Sequence, residues 1–394
     1  MIFFYSVFFR PSAHSLIRKF AYSPPGYCLL LLFMLINNMA KKHFGLILAG
    51  GQGTRFWPWS TEDKPKQFLP IVGNEPLITQ TFNRLRETKT LPPENIFIVA
   101  DKKYLGLVRE AIPGFKEANF IAEPSPKNTA PCLILSNIVL SGFEADANVA
   151  VVPADHYIPD ADIFAAQLED ALNFADNKYI ITSGIKPTAP HTGYGYIKFK
   201  ADSSSPAGDT EFFAVEAFRE KPSVEVAGQY LAEGNYYWNS GMFFYNLKFF
   251  KRLLETYSPY YYEQYLELEK AFQNRREFED AYNAVKPESI DYALMEKVKE
   301  ARMFKAAFQW SDVGAWSSVY ELNPKDGQGN AAMKRNNIFI DSENSLVFST
   351  EEKPIAVIGL RDIAVIDTGN GILVADLNHL QKVKEVTRKL KNDE

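Results

Sequence analysis

The region between residues 43 and 156 alternates short apolar runs with segments of helical spacing, and this alternation restricts the possible folds more than any other feature. Four runs have the composition of buried strands: residues 44–49 (FGLILA), 96–100 (IFIVA), 119–124 (NFIAEP) and 148–156 (NVAVVPADH). Helix-like stretches separate them, at residues 76–87, 103–112 and 129–142. Strand–helix–strand alternation at this spacing predicts an α/β fold with a doubly wound, mostly parallel sheet.

The pattern changes in the second half of the chain. A long helical region is expected over about residues 247–302, and from about Asn330 the sequence consists of short apolar clusters separated by turn signals. Clusters that recur without helical period predict a small β-rich, β-helix-like cap. We therefore expect a main domain over residues 39–325 and a small C-terminal β-rich domain over residues 326–394 that ends in a helix.

The first 38 residues do not fit this pattern. They carry Arg10, Arg18 and Lys19 and no acid, and Tyr27–Ile36 is an apolar run that is too short to span a bilayer. Three interpretations remain open: sequence upstream of a natural start at Met39, a signal or anchor segment, or a functional extension. We leave residues 1–38 out of the expected fold.

The composition excludes several classes of function. A net charge of −5 gives no basic surface for a nucleic-acid backbone, and 46% hydrophobic with 23% charged residues is typical of a soluble globular protein, not a membrane protein. Two cysteines cannot build a disulfide framework or a zinc site. These features favour a reducing compartment, and we expect the cytoplasm.

A glycine-rich loop follows the first predicted strand. Gly50, Gly51 and Gly53 would let backbone N–H groups approach a ligand, although a tight strand-to-helix turn would also use them. The loop lacks the Lys-Ser/Thr of a P-loop and the third glycine of the dinucleotide fingerprint. It is followed by Arg55 and Lys66, a planar fork and a point charge that suit a polyphosphate. The segment predicts a nucleotide- or phosphate-binding loop.

The segment LAGGQGTRFWPWSTEDKPKQFLP, residues 48–70, resembles the signature of the sugar-phosphate nucleotidyltransferases, and within them the mannose-1-phosphate guanylyltransferase branch. Further blocks resemble this family in the same order along residues 44–385. They are Glu123-Pro124 with KNTAP (127–131), PADH (153–156), GYGYI (193–197), FREKP (218–222), WNSGMF (238–243), SIDYALMEK (289–297) and WSDVGAW (310–316). The resemblance implies a GT-A-like, Rossmann-like catalytic core.

It also implies a reaction: GTP and α-D-mannose 1-phosphate give GDP-mannose and pyrophosphate by in-line attack at the α-phosphorus. The attacking phosphate is already anionic, so catalysis consists of positioning and neutralising charge. We expect Arg55 and Lys66 to be catalytic. Asp155 ends an apolar strand and Asp312 lies in another apolar stretch; with the family pattern they look like ligands of Mg²⁺, although each alone could be a helix cap or a surface acid.

The remaining site residues rest mainly on the resemblance. For the sugar phosphate it implies the backbone of Gly195 and the side chains of Glu220, Lys221 and Asn239. Glu220 and Lys221 could instead be a surface pair, and Asn128 only a helix cap. The expected nucleotide-binding residues are Leu48, Ala49, Gly50, Gly51, Gly53, Thr54, Asn128 and Thr129.

Alternative functions stay open from the sequence. One is the same chemistry on another nucleotide or hexose 1-phosphate, and the other is a regulatory paralogue that binds sugar nucleotides without catalysis. The chain ends without the cupin-like domain of bifunctional relatives, so we expect no isomerase activity. The expected partners are GTP and mannose 1-phosphate, with neither nucleic acid nor membrane. By resemblance, we expect a homodimer through the helical region or the C-terminal cap.

Overall fold

The computed structural model describes residues 41–51, 53–333 and 337–392. The predictions for residues 1–38 lie outside these residues. Within them, no helix combines the length and the apolar composition that crossing a bilayer requires.

A ten-stranded sheet forms the centre of the main domain. In spatial order it runs β3-β2-β1-β4-β9-β5-β10-β8-β6, with β7 paired to β8. The strands are β1 (His43–Leu48), β2 (Ile96–Asp101), β3 (Phe120–Glu123), β4 (Asn148–Pro153), β5 (Ile180–Ile185), β6 (Tyr196–Phe199), β7 (Ser205–Ala207), β8 (Thr210–Arg219), β9 (Tyr236–Asn246) and β10 (Ala301–Lys305).

The first half of this sheet is parallel, as its continuous apolar strands predict. Leu46 of β1 lies between Phe97 of β2 and Val151 of β4, in register with both. Strands that are covered on both faces need apolar residues at every position, not alternate ones. From β9 onward antiparallel pairs enter, because β9 returns against both β4 and β5.

Helices cover both faces of the sheet, so the expected doubly wound α/β class is confirmed. One face packs against α3, α6, α7 and α8, and the other against α1, α2 and α4. The helices are α1 (Leu77–Arg86), α2 (Leu105–Ala111), α3 (Thr129–Phe143), α4 (Ala161–Phe174), α5 (Val224–Glu233), α6 (Leu247–Tyr257), α7 (Pro259–Ala271), α8 (Arg275–Ala284), α9 (Trp316–Leu322) and α10 (Val383–Asn392).

The expected helical region of residues 247–302 is not continuous. It divides into α6, α7 and α8, followed by a π-helical turn at Asp291–Met295, and β10 begins at Ala301. Pro259 starts α7 because its fixed φ suits a first helical turn and cannot continue the preceding helix.

The C-terminal part is β-rich and β-helix-like, as predicted. Its coils stack in parallel, β11 on β13 on β15 and β12 on β14, and β16 closes the stack antiparallel to β15. The strands are β11 (Ala331–Ala332), β12 (Ile338–Ile340), β13 (Leu346–Ser349), β14 (Ala356–Ile358), β15 (Ile363–Thr368) and β16 (Gly371–Asp376). The expected division between residues 325 and 326 stays a prediction.

This C-terminal part packs directly on the segment that follows the glycine-rich loop. Phe56, Trp316 and Phe348 belong to one buried cluster, and Trp59 lies against both Trp316 and Phe348. Asn370 Nδ2 also donates a hydrogen bond of 3.2 Å to the Pro58 carbonyl. The β-rich part therefore fixes the loop that the sequence assigns to the nucleotide.

Candidate active site

The glycine-rich loop is built against the Lys66 segment. Gly53 has a φ of 61°, which favours glycine, and a β-carbon there would collide with the β-carbon of Lys66. Gln67 Nε2 donates a hydrogen bond of 2.7 Å to the Ala49 carbonyl at the end of β1. Because these two segments interlock, the buried Lys66 has a fixed place beside the loop.

Lys66 joins the two acids that the sequence singles out. Its ammonium group donates to Asp155 Oδ2 at 2.9 Å and to the backbone carbonyl of Asp312 at 2.7 Å. A two-residue bridge between Tyr157 and Ser311 holds the two acid-bearing segments together, with hydrogen bonds of 2.9 and 3.0 Å. Asp155 and Asp312, which lie 89 and 246 positions after Lys66 in the chain, thus both contact its ammonium nitrogen.

The Asp155 carboxylate stays ionised in this arrangement. Burial is the largest single effect on its pKa and acts to raise it, but the charge and hydrogen bond of Lys66, with smaller contributions from His156 and a backbone N–H, together outweigh the burial. The pKa of Asp155 is therefore held below its usual range. An anionic carboxylate at the mouth of a cleft is available to a cation.

Tyr194 supports the second acid. Its hydroxyl donates to Asp312 Oδ1 at 2.8 Å, and its ring stacks on His191 at a centroid distance of 4.0 Å. Burial, and then the Asp312 carboxylate, raise the pKa of Tyr194 far above its usual value, so the hydroxyl stays protonated. The next residue is Gly195, so this bond connects Asp312 with the expected sugar side.

His156, next to Asp155, has a structural role here. Trp310 Nε1 donates to His156 Nδ1 at 3.1 Å, which requires that nitrogen to be unprotonated. Burial lowers the pKa of His156 to about 4, so the ring is neutral at neutral pH. We therefore assign it no proton-transfer role.

A cleft of about 420 Å³ opens at this cluster. Arg55 lies exposed at the wall of this cleft, and its side chain forms no hydrogen bond or ion pair among the described residues. Helix α10 contributes Lys384 to the same wall. Sequence analysis missed Lys384, since it predicted only that the C-terminal domain ends in a helix. The lining residues are Gly53, Thr54, Arg55, Phe56, Lys66, Asp155, His156, Asp312, Gly314 and Lys384.

The expected sugar-side residues form a second group. A β-carbon at Gly195 would lie 2.5 Å from Glu220 Oε2 and 3.4 Å from the β-carbon of Asn239. Asn239 N donates to the Gly195 carbonyl at 2.8 Å. Glu220 is nearly buried, whereas Lys221 is exposed and pairs with it. The absence of a β-carbon at position 195 therefore lets the side chains of Glu220 and Asn239 approach the backbone there.

Asp291 joins this group and was not among the predicted site residues. It lies in the π-helical turn, a feature frequent at functional sites, and accepts a hydrogen bond of 3.1 Å from Asn239 Nδ2. Burial, and then the nearby Glu220 carboxylate, raise its pKa to about 6. The block SIDYALMEK contained a signal for this residue, because Asp291 stands between an isoleucine and an apolar run. A carboxylate in such surroundings is costly unless it has a partner.

The Asn128 turn lies near the glycine-rich loop. Asn128 has a φ of 70° and its side chain caps α3 by accepting from Thr129 N, while Thr129 Oγ1 accepts from Ile290 N at 2.8 Å. A β-carbon at Gly50 would lie 3.7 Å from Oε2 of Glu123, which ends β3. Strand β1 ends at Leu48, Ala49 follows it, and Gly51 lies exposed beyond them.

The donor set fits a hard divalent cation bound jointly with a ligand. No group of three or more His, Cys, Asp or Glu side chains suited to a metal occurs among residues 41–51, 53–333 and 337–392. Asp155 and Asp312 alone provide two carboxylates, and Mg²⁺ is usually held by one or two carboxylates together with phosphate oxygens and water.

Comparison with known proteins identifies the family of the chain. The nucleotidyl transferase family matches residues 44–329, and the MannoseP isomerase/GMP-like beta-helix domain matches residues 335–390. The chain belongs to the nucleotidyl transferase family. It is accordingly a nucleotidyltransferase enzyme.

Two bacterial proteins are similar to the chain over most of its length. The xanthan biosynthesis protein XanB of Xanthomonas campestris is 35% identical over 353 residues, 88% of this chain and 73% of that protein. The mannose-1-phosphate guanylyltransferase of Escherichia coli K12 is 34% identical over 361 residues, 90% of this chain and 74% of that protein.

A solved structure is similar over most of the fold. The protein named mannose-1-phosphate geranyltransferase from Thermus thermophilus superimposes with a TM-score of 0.79 and 28% identity, covering 89% of this chain and 99% of that one. The mannose-6-phosphate isomerase from Helicobacter pylori has a TM-score of 0.55 and 25% identity, covering 68% and 99%.

Proposed function

We propose that the protein transfers a GMP group from GTP to α-D-mannose 1-phosphate, giving GDP-mannose and pyrophosphate. The observation that carries this proposal is the contact of Lys66 with both Asp155 and Asp312 in a cleft lined by the glycine-rich loop. The names of relatives at 34% identity support the choice of substrates.

In this reaction an oxygen of the mannose 1-phosphate attacks the α-phosphorus of GTP. A new P–O bond forms there, and the bond to the β-phosphate oxygen breaks with pyrophosphate leaving. No proton has to be removed from the nucleophile, because the phosphate is already anionic. The protein has to align the two phosphates and stabilise the charge that develops on the leaving group.

Arg55 and Lys66 provide the positive charge in this scheme. Arg55 extends from the exposed wall of the cleft and can bind two phosphate oxygens with its planar fork. Lys66 is fixed by Asp155 and the Asp312 carbonyl, so it contributes a charge in a set position. Preorganised charges of this kind stabilise a transition state without reorganisation during the reaction.

Asp155 and Asp312 would hold Mg²⁺ beside the phosphates. The ion would neutralise phosphate charge and orient the triphosphate. The carboxylate of Asp155 is kept anionic by Lys66, and that of Asp312 is oriented by Tyr194.

The binding of the two substrates divides between the two residue groups. We assign the nucleotide to the glycine-rich loop and the Asn128 turn, through Leu48, Ala49, Gly50, Gly51, Gly53, Thr54, Asn128 and Thr129. We assign the sugar phosphate to the group around Gly195, through Glu220, Lys221 and Asn239, with Asp291 holding the Asn239 amide. The Tyr194–Asp312 hydrogen bond connects the two sides.

Product analysis tests this proposal. The protein is incubated with Mg²⁺, each of GTP, ATP, UTP and dTTP, and either mannose 1-phosphate or glucose 1-phosphate. We expect GDP-mannose to form at the highest kcat/KM. A higher kcat/KM with another pair would replace the proposed substrates, and binding without any pyrophosphate release would favour the regulatory paralogue.

The metal assignment has a separate test. Asp155→Ala and Asp312→Ala should each abolish Mg²⁺-dependent pyrophosphate release, while Asp162→Ala, an exposed acid in the first turn of α4, should not. Circular dichroism checks that each variant is folded. Full activity of both site variants would remove Asp155 and Asp312 as metal ligands.

We also propose a homodimer through the C-terminal β-rich part. The paired strands β12 and β14 expose Ile338, Ile340 and Ile358, and Leu360 extends the same apolar surface. A second copy of this chain would cover these residues. Light scattering after gel filtration should give twice the chain mass for the wild type and the mass of a single chain for Ile358→Glu. A wild-type monomer would contradict the proposal.

A further inference from the structure

A lysine from the C-terminal helix lies at the edge of the catalytic cleft. Lys384 lines the same cleft as Arg55 and Lys66, although it belongs to α10, more than 300 positions along the chain from either. It is exposed, and no ion pair of its ammonium group occurs in the part of the chain that the structure describes. A cation at this place is therefore available to an anionic ligand.

The position of Lys384 is fixed by its neighbours. Val383 is buried in the cluster that also contains Phe56 and Leu380, and α10 lies against the Thr54–Phe56 turn. Farther along the helix, Lys391 pairs with Glu62 at 2.9 Å. Because that pair is exposed, it contributes little, and the burial of Val383 and Leu380 is what keeps Lys384 beside the cleft.

Stability of the helix does not explain this lysine. The side chain of Lys384 is exposed, and no hydrogen bond or ion pair of its ammonium group occurs among the described residues, so neither burial nor pairing explains it. Its replacement should leave the fold intact.

We propose that Lys384 binds the β- and γ-phosphates of the nucleoside triphosphate and the pyrophosphate that leaves. This inference rests on the nucleotidyl transfer proposed above. The cleft that Lys384 lines contains Gly53, Thr54 and Arg55 of the nucleotide side, whereas Gly195, Glu220 and Asn239 are not in its lining. The phosphates in reach are therefore those of the triphosphate, and the C-terminal part contributes directly to the active site.

The test compares Lys384→Ala and Lys384→Arg with Lys391→Ala as the matched control. Lys391 is an exposed lysine on the same helix that does not line the catalytic cleft. Calorimetry measures binding of inorganic pyrophosphate with Mg²⁺ to the full chain, and steady-state kinetics measure KM for GTP and for mannose 1-phosphate. Thermal melting confirms that each variant is folded.

We expect Lys384→Ala to weaken pyrophosphate binding roughly tenfold or more and to raise KM for GTP, since a charge-assisted contact is lost. KM for mannose 1-phosphate should stay nearly constant, Lys384→Arg should retain most of the affinity, and Lys391→Ala should behave like the wild type. Unchanged pyrophosphate affinity in Lys384→Ala would overturn the inference, as would an equal loss in Lys391→Ala.

The binding measurement separates this inference from the proposed function. If the wild type forms no GDP-mannose but Lys384→Ala still loses pyrophosphate affinity, the choice of substrates is wrong and the role of Lys384 stands. If the wild type forms GDP-mannose and Lys384→Ala binds pyrophosphate normally, the proposed substrates stand and the role of Lys384 is wrong.

Discussion

The ammonium group of Lys66 donates a hydrogen bond of 2.9 Å to Asp155 Oδ2 and another of 2.7 Å to the carbonyl of Asp312. One nitrogen thus sets the distance between the two segments that carry the site's acids. The contact also helps to keep Asp155 ionised, because Lys66 makes the largest of the contributions that lower its pKa against the effect of burial.

Replacing Lys66 tests this arrangement. Lys66→Ala should lower kcat by about 100- to 1,000-fold, the usual loss when a preorganised charge is removed from a transition state. Because Lys66 holds the pKa of Asp155 down, the acidic limb of the pH–activity profile should move to higher pH. Lys64→Ala, at an exposed position two residues away, should change neither quantity. A normal pH profile in Lys66→Ala would show that Lys66 does not control Asp155.

The hydroxyl of Tyr194 should act by orienting Asp312. Tyr194→Phe removes the 2.8 Å hydrogen bond but keeps the ring that stacks on His191. We expect apparent Mg²⁺ affinity to fall about 10- to 100-fold, as when partners of metal ligands are removed. Measuring rate against Mg²⁺ concentration checks this. Tyr230→Phe, whose ring stacks on Tyr236, is the control, and equal effects in both variants would contradict the orienting role.

A methyl group at Gly195 should affect the sugar side selectively. Gly195→Ala would place a β-carbon 2.5 Å from Glu220 Oε2, so Glu220 must move. We expect KM for mannose 1-phosphate to rise at least tenfold with little change in KM for GTP. Gly106→Ala, in α2 with open space around it, should be neutral. A selective rise in KM for GTP would place the nucleotide, not the sugar, at Gly195.

Asp291 should make stability depend on pH. Its pKa is about 6 in the folded protein and 3.8 as a free group, so the folded state binds the proton more tightly. The stability that this proton contributes is present below pH 3.8 and is lost as the pH rises through about 6.

Asp291→Asn removes that dependence and can still accept the Asn239 hydrogen bond. At pH 8 the variant should have a free energy of unfolding higher by on the order of 2 kcal/mol than the wild type, with a smaller difference at pH 4. Denaturant unfolding at both pH values measures it. A difference that is the same at both pH values would mean that Asp291 does not titrate as stated.

Local sequence patterns predicted a large part of the fold. The strands at residues 44–49 and 96–100 and the helix at 129–142 agree with β1, β2 and α3 to within one or two residues. These elements are largely buried, so the apolar residue at nearly every position indicates that the segment lies in the core. Antiparallel β9 was not expected, because pairing direction depends on residues far apart in the chain.

The site residues divide in the same way. Arg55 follows the glycine-rich loop and Asp155 follows a buried strand, where polar residues after apolar runs are visible in the sequence, and Lys66 lies in the same family-like segment as Arg55. Lys384 has no such signal, because a basic residue on an amphipathic helix is usually solvated. Its role depends on where the C-terminal helix packs.

The sequence by itself determined the α/β class, the glycine-rich loop and the family, since these depend on local periodicity and on ordered motifs. Only the tertiary structure decided that Lys66 holds Asp155 and Asp312 together, that Asp291 supports Asn239, and that α10 supplies a lysine to the cleft. The physical reason is that such contacts join side chains tens to hundreds of positions apart in the chain. Their groups form hydrogen bonds only when folding brings them to about 3 Å.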